Sequence, residues 1–152
     1  GADIAIVTQG PGNLGTGTPW GFSGVAVGEV VNAAAALGGR PVGALRISDA
    51  DPRERHRGVS HHALTAFGRV ALAAADLVVP DGLDPGLAVL VDTALASLPP
   101  RHRVVRVGAA GLLAALEASP AGLSTMGRSL AQDTAYFLAA AAAGRHAASL
   151  LR

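Results

Sequence analysis

A chain of 152 residues that is 50% hydrophobic is long enough to bury a real core as one domain, and its net charge of +1 with 3% aromatics gives no bulk pull toward nucleic acid and few stacking platforms. The sequence holds no cysteine, which excludes thiol nucleophiles, disulfides and thiolate metal sites. All 12 basic residues are arginine, so Schiff-base chemistry and the phosphate-binding lysine of a P-loop are excluded as well.

The first apolar run, residues 4–8, reads as a buried strand, and the glycine-rich stretch GPGNLGTGTPWGFS follows at positions 10–23. Its Gly10, Gly12 and Gly15 match G-x-G-x-x-G, the spacing that lets pyrophosphate approach a helix N-terminus closely in dinucleotide folds. Thr16, Gly17, Thr18 and Pro19 then delay the helix to about Ser23, and the next strand ends near Arg46 instead of an acidic residue, which argues against a nicotinamide site. A looser cradle of backbone N–H groups and threonine hydroxyls running from Gly10 through Asn13 to Thr18 suits an anion. A loop packed under Trp20 and Phe22 accounts for the same residues.

An apolar helix over residues 24–37 is stopped by Gly38 and Gly39. Residues 42–47 form the second strand, and the densest chemistry of the chain, RISDADPRERHRGVSHH at 46–62, comes after it. Arg46 and its neighbours Arg53, Arg55 and Arg57 could clamp a phosphate or carboxylate, with Ser48 beside them. Asp49 or Asp51 with His61 or His62 offers either a divalent-metal site or an aspartate-oriented general base. The spacing matches no zincin signature, and a solvated loop of Asp–Arg pairs with Ser60 capping the next helix is the plainer reading. Adjacent residues of a first helical turn diverge, so only one of His61 and His62 is expected to face a site.

A second helix is expected over 60–75 and a third strand over 77–79. Asp84 and Pro85 open a third helix whose apolar face runs from Leu87 to Leu98 and ends at Pro99 and Pro100. Strand 103–107, a short helix around Leu112, Leu113 and Leu116, a weak strand at 122–125 and a last helix over 133–150 complete the chain. The segment LSTMGRS at 123–129 would place Ser124, Thr125 and Arg128 at a strand end near a helix start, a second anion-binding arrangement. Ser124 lacks the G-x-S-x-G setting of a nucleophile elbow, so no serine hydrolase is expected.

Alternating strands and helices with near-continuously apolar strands predict one α/β domain over 1–152: three layers, α/β/α, around a mostly parallel sheet of four or five strands, Rossmann-like. Ligands of such sheets sit at the C-terminal strand ends, where all three unusual segments would gather. The longest apolar runs, such as 70–75 and 138–143, are far too short to span a bilayer. With no charged-then-apolar signal pattern either, a cytoplasmic location without membrane contact is expected.

Taken together, TQGPGNLGTGTPWGFSG, RISDADPRERHRGVSHHALTAFGRVAL and LSTMGRSL resemble an uncharacterised bacterial family, domain of unknown function 3866, over essentially the whole chain. Members of that family tend to be larger, so the resemblance implies that the chain is the C-terminal part of a longer protein and that a preceding region is one of its partners. It carries over no activity, cofactor or catalytic residue. The functional expectation is therefore a domain that binds a small anionic metabolite, phosphorylated or nucleotide-like, with enzyme activity left open. The alternative is a non-catalytic assembly domain, homo-oligomeric through alanine-rich helices such as that around 139–143. Nucleic-acid binding through Arg53, Arg55 and Arg57 is the weakest reading.

Overall fold

The computed structural model describes residues 2–8 and 14–151. A 3-10 turn, Ser23–Val25, leads into helix α1 (Ala26–Ala36). Strand β1 (Val42–Ala44) is followed by two short strands, β2 (Ile47–Ser48) and β3 (Gly58–Val59), which pair antiparallel and close the 46–62 segment into a loop. Helix α2 (His61–Thr65) continues as a π-helical turn, Ala66–Val70. Then come β4 (Asp76–Pro80), α3 (Pro85–Ala96), β5 (Arg103–Val107) and α4 (Leu112–Glu117). A hairpin of β6 (Ser124–Thr125) and β7 (Arg128–Ser129) precedes α5 (Thr134–Ser149).

The parallel sheet has the order β1-β4-β5, with Leu77 of β4 opposite Gly43 on one side and Val104 on the other. All five residues of β4 are buried, which explains why its centre, Leu77 to Val79, reads as a continuous apolar run. Alternation along β4 divides the core. Leu77 and Val79 join Phe67, Leu87, Val91 and Leu95 in one cluster, while Val78 meets Leu112, Ala142 and Ala143 in another. The small side chains of α5 let its backbone lie close to the sheet. At the N-terminal end of β4, buried Asp76 accepts hydrogen bonds from Arg103 (2.7 and 2.8 Å), Arg40 (3.1 Å) and His146 Nε2 (2.7 Å), tying α5 and β5 to the central strand.

Four sequence expectations are corrected. Residues 4–8 form no strand: they are exposed, Ile6 at 86%, and pair with no described residue, so their apolar character does not report burial. Residues 122–125 yield only the two-residue β6, which pairs with β7 and not with the parallel sheet. The parallel sheet among the described residues therefore holds three strands, not four or five. The expected helix over 60–75 ends at Val70, where the Ala71 N–H reaches back to the Ala66 carbonyl. Asn32 of α1 fixes that exit: its amide donates to the Val70 carbonyl and its oxygen accepts from the N–H groups of Leu72 and Ala73. Among the described residues no helix is long and apolar enough to cross a membrane.

Candidate functional site

The β2–β3 pairing brings both ends of the 46–62 loop to one place, and Asp51 lies at its centre, 1% exposed. Its Oδ1 accepts from the backbone N–H and Nε of Arg53, both at 3.0 Å. Its Oδ2 accepts from Arg53 at 2.9 Å, Arg46 at 2.8 Å and Arg128 at 3.4 Å. Arg53's hydrogen bonds, partly opposed by burial and reinforced by Arg46, hold the Asp51 carboxyl far below the usual carboxylate range. Arg128 also donates to Asp133 (2.9 Å), which in turn accepts from the Ser48 hydroxyl (2.9 Å). Asp133 occupies the N-cap of α5 but makes no side-chain cap; its Oδ2 is committed to Arg128 and Ser48. Its Oδ1 is buried with no hydrogen-bond partner. Three guanidiniums thus converge on two buried carboxylates.

Beside this cluster stand three of the five histidines. Ser60 caps α2 by accepting the His62 N–H, and the same hydroxyl meets His56 Nδ1 at 2.7 Å. The His61 and His62 rings lie 4.2 Å apart, and His56 is 4.9 and 5.0 Å from them. Both rings of the pair face the same place, contrary to the expectation that one would point away. Their Cα–Cβ bonds diverge by about 100°, but Phe22 stacks on His62 (4.0 Å, 13°) and His56 meets both rings. Burial, then Arg46, pushes His56 down to about 4; burial, then His61, does the same to His62. His61 is lowered by burial, then by Arg55.

Two expected pairings are absent among the described residues. Neither Asp49 nor Asp51 contacts His61 or His62, so no aspartate-oriented base and no mixed Asp/His metal site forms. Asp51 is saturated by arginine, and Asp49 is exposed at the rim of a separate cavity of about 220 Å³. That cavity lies at the C-terminal end of β4, lined by Gly82, Leu83, Asp84, Gln132 and Thr134. Asp84 is occupied in capping α3, accepting from Gly86 and Leu87.

Gly10, Gly12 and Asn13 lie outside the described residues. The described part of that loop closes on itself: Gly15 bridges Phe22, Thr16 Oγ1 lies 3.0 Å from Thr18 Oγ1, and Gly17 takes the turn at φ 79°. Thr18 Oγ1 accepts the Gly21 N–H, so both hydroxyls are engaged within the loop. Ser124 and Thr125 belong to a hairpin turned by Met126 and Gly127, both at positive φ, and not to a strand end entering a helix. Neither hydroxyl takes part in the ionic cluster; Arg128, from the same hairpin, does. Among the described residues, then, the first segment reaches the second through Phe22 and the third reaches it through Arg128.

Three contributors were not singled out from sequence. Asp133 was legible only as the start of a helix, and Ser60 only as a cap. His56 lies within the 46–62 segment but gave no spacing signal. No curated protein and no solved structure matches the chain. The residues that build this site all fall within a family match covering residues 1–144: the chain belongs to the family described as Protein of unknown function (DUF3866).

Proposed function

We propose that this chain is a cytoplasmic domain, Rossmann-like with three α/β/α layers, that binds a small anionic metabolite at the C-terminal edge of its parallel sheet. One observation carries the reading. Arg46, Arg53 and Arg128 meet only two carboxylates, Asp51 and Asp133, which leaves an excess positive charge where the chain emerges from β1. Arg53 is the most exposed of the three (38%), so it can turn a guanidinium edge to a phosphate or carboxylate while Arg46 and Arg128 hold the frame. Neutral imidazoles alongside add hydrogen-bonding groups without adding charge.

Isothermal titration against nucleotides and phosphorylated metabolites, with and without magnesium, tests this. At least one ligand should saturate, and Arg53→Ala should weaken it by about 10- to 100-fold, the worth of a charge-assisted hydrogen bond. Silence across the whole panel would remove the proposal. A second reading, homo-oligomeric assembly, is favoured by a different observation: Ile6 and Val7 expose 86% and 66% of their surface in an extended apolar run. Light scattering should then give a mass above the monomer that Ile6→Asp reduces; a monomer at all concentrations ends that reading.

A further inference from the structure

The structure assigns to this chain a metal site that the anion-binding reading does not require. We propose that His56, His61 and His62 hold a borderline divalent transition metal, zinc foremost, through three imidazole nitrogens with one coordination position left open.

The geometry is close to what such an ion needs. One ring nitrogen from each histidine lies within 4.8 Å of the other two. A tetrahedral ion with bonds of about 2.0 Å brings its ligand nitrogens to about 3.3 Å from one another. The gap closes by small turns of rings that are already in contact. His61 and His62 are only half-buried and can make them, whereas His56 is buried and fixed.

Two independent details point to ligation. His56 Nδ1 is engaged with the Ser60 hydroxyl, the outer contact that sets the ring of a metal-bound histidine and presents its Nε2. His61 Nε2 is buried and has no hydrogen-bond partner, although a buried ring nitrogen ordinarily finds one. The other two histidines are occupied elsewhere: His102 bonds the backbone of Ala75 and Phe67, and His146 bonds Asp76. Phe22, stacked on His62, covers one face of that ring.

The surroundings select the class of ion. Arg46, Arg53 and Arg55 act on these imidazoles, and their charge opposes a hard, purely electrostatic cation such as magnesium or calcium. A nitrogen-preferring ion held by coordinate bonds tolerates that field better. Three neutral ligands leave the ion its full charge, so the open position takes an anion, hydroxide or a carboxylate or phosphate oxygen, toward which the arginines are also favourable.

The test uses the full chain without a histidine tag, stripped with chelator. Zinc titrated calorimetrically should bind at one ion per chain. Cobalt(II) should develop the intense visible absorption of a tetrahedral site and lose it when zinc is added. His61→Gln and His62→Gln, which change half-buried positions and should leave the circular dichroism spectrum intact, should each weaken zinc by about 100-fold, at the upper end of what losing even an outer-shell partner costs. A rise in Tm with zinc in the wild type, absent in the His61→Gln/His62→Gln double variant, gives a readout independent of any ligand or activity. Absence of saturable zinc binding, or binding that the folded double variant retains, overturns the proposal. Neither result bears on whether Arg53 binds an anion in metal-free protein.

Discussion

Replacing Asp51 by asparagine is the sharpest perturbation the structure offers, because it keeps the shape and changes only charge and hydrogen-bonding capacity. Oδ1 accepts two hydrogen bonds and Oδ2 three, all from arginine or from the backbone of Arg53. An amide keeps an acceptor at only one of those positions. Whichever way it turns, its NH2 points hydrogens at two or three other donors. The guanidiniums are 16%, 20% and 38% exposed, so they regain part of their hydration, and the cost falls short of leaving three buried charges unpaired. Breaking a buried ion pair by removing one partner costs about 3–5 kcal/mol, and Asp51→Asn belongs in that range. Guanidinium denaturation at pH 7 measures it, with exposed Asp49→Asn as the control, expected within about 0.5 kcal/mol of wild type. A loss below about 1 kcal/mol for Asp51→Asn would mean that the three arginines are held by something other than this carboxylate, and the account of the loop would fail.

Asp76 should produce acid sensitivity: burial raises its pKa, but hydrogen bonds from Arg103 and His146 win and hold it down at about 2, against an ordinary 3.8. A depressed carboxylate contributes in full above its unfolded value and loses that contribution as pH falls toward its folded one. The stability gap between wild type and Asp76→Asn should therefore shrink by about 2 kcal/mol between pH 5 and pH 2, and a gap constant with pH in urea melts would contradict this. Gly28→Ala should destabilise by about 1–2 kcal/mol in the same melts despite alanine's better helix propensity. Its Cβ would stand 2.5 Å from Val70 Cβ and 2.8 Å from the Ala66 carbonyl; a stabilised variant would show that α1 can retreat from the π-turn at no cost. Asn32→Ala should cost about 1–2 kcal/mol, because it leaves the part-buried Val70 carbonyl and Ala73 N–H without their partner while the exposed Leu72 N–H regains water, and near-neutrality would remove Asn32 as the cause of the helix's early end.

What could be read from the sequence was whatever depends on local pattern. Pro85 behind Asp84, and Gly38 behind an apolar run, bound α3 and α1 within a residue or two of where sequence places them, since capping chemistry is local. Strand β5 falls on 103–107, where the apolar run places it. The run at 4–8 has equally good strand character and is exposed, because strand formation needs an edge to pair with and pattern does not reveal whether one is available. The π-turn was invisible for a related reason: its cause, Asn32, sits 38 residues away from Val70. Asp51 looked like a candidate acid on composition alone, and only coordinates show that its acceptor capacity is filled by arginine.

The placement of the imidazoles next to the guanidiniums is a consequence of one short ladder. Ile47 pairs with Val59 and Ser48 with Gly58, so the loop between them is closed on a two-residue strand pair, with Asp51 and His56 both buried inside it. Gly58 allows this at φ 68°, where a Cβ would also sit 3.1 Å from Leu90 Cβ of α3. The fixed distance has an electrostatic result. Burial first, and then neighbouring positive charge, lowers the pKa of His56, His61 and His62 and favours the neutral rings that bind metal, while the arginines raise the potential against any bare cation. A site of this kind favours a metal that arrives with, or acquires, a negative ligand. On the two readings proposed above, metal and anion would therefore bind with positive coupling, each tightening the other by the same factor. Zinc affinity measured with and without a saturating anionic ligand decides it: equal affinities would separate the two sites, and a reciprocal gain would make them one.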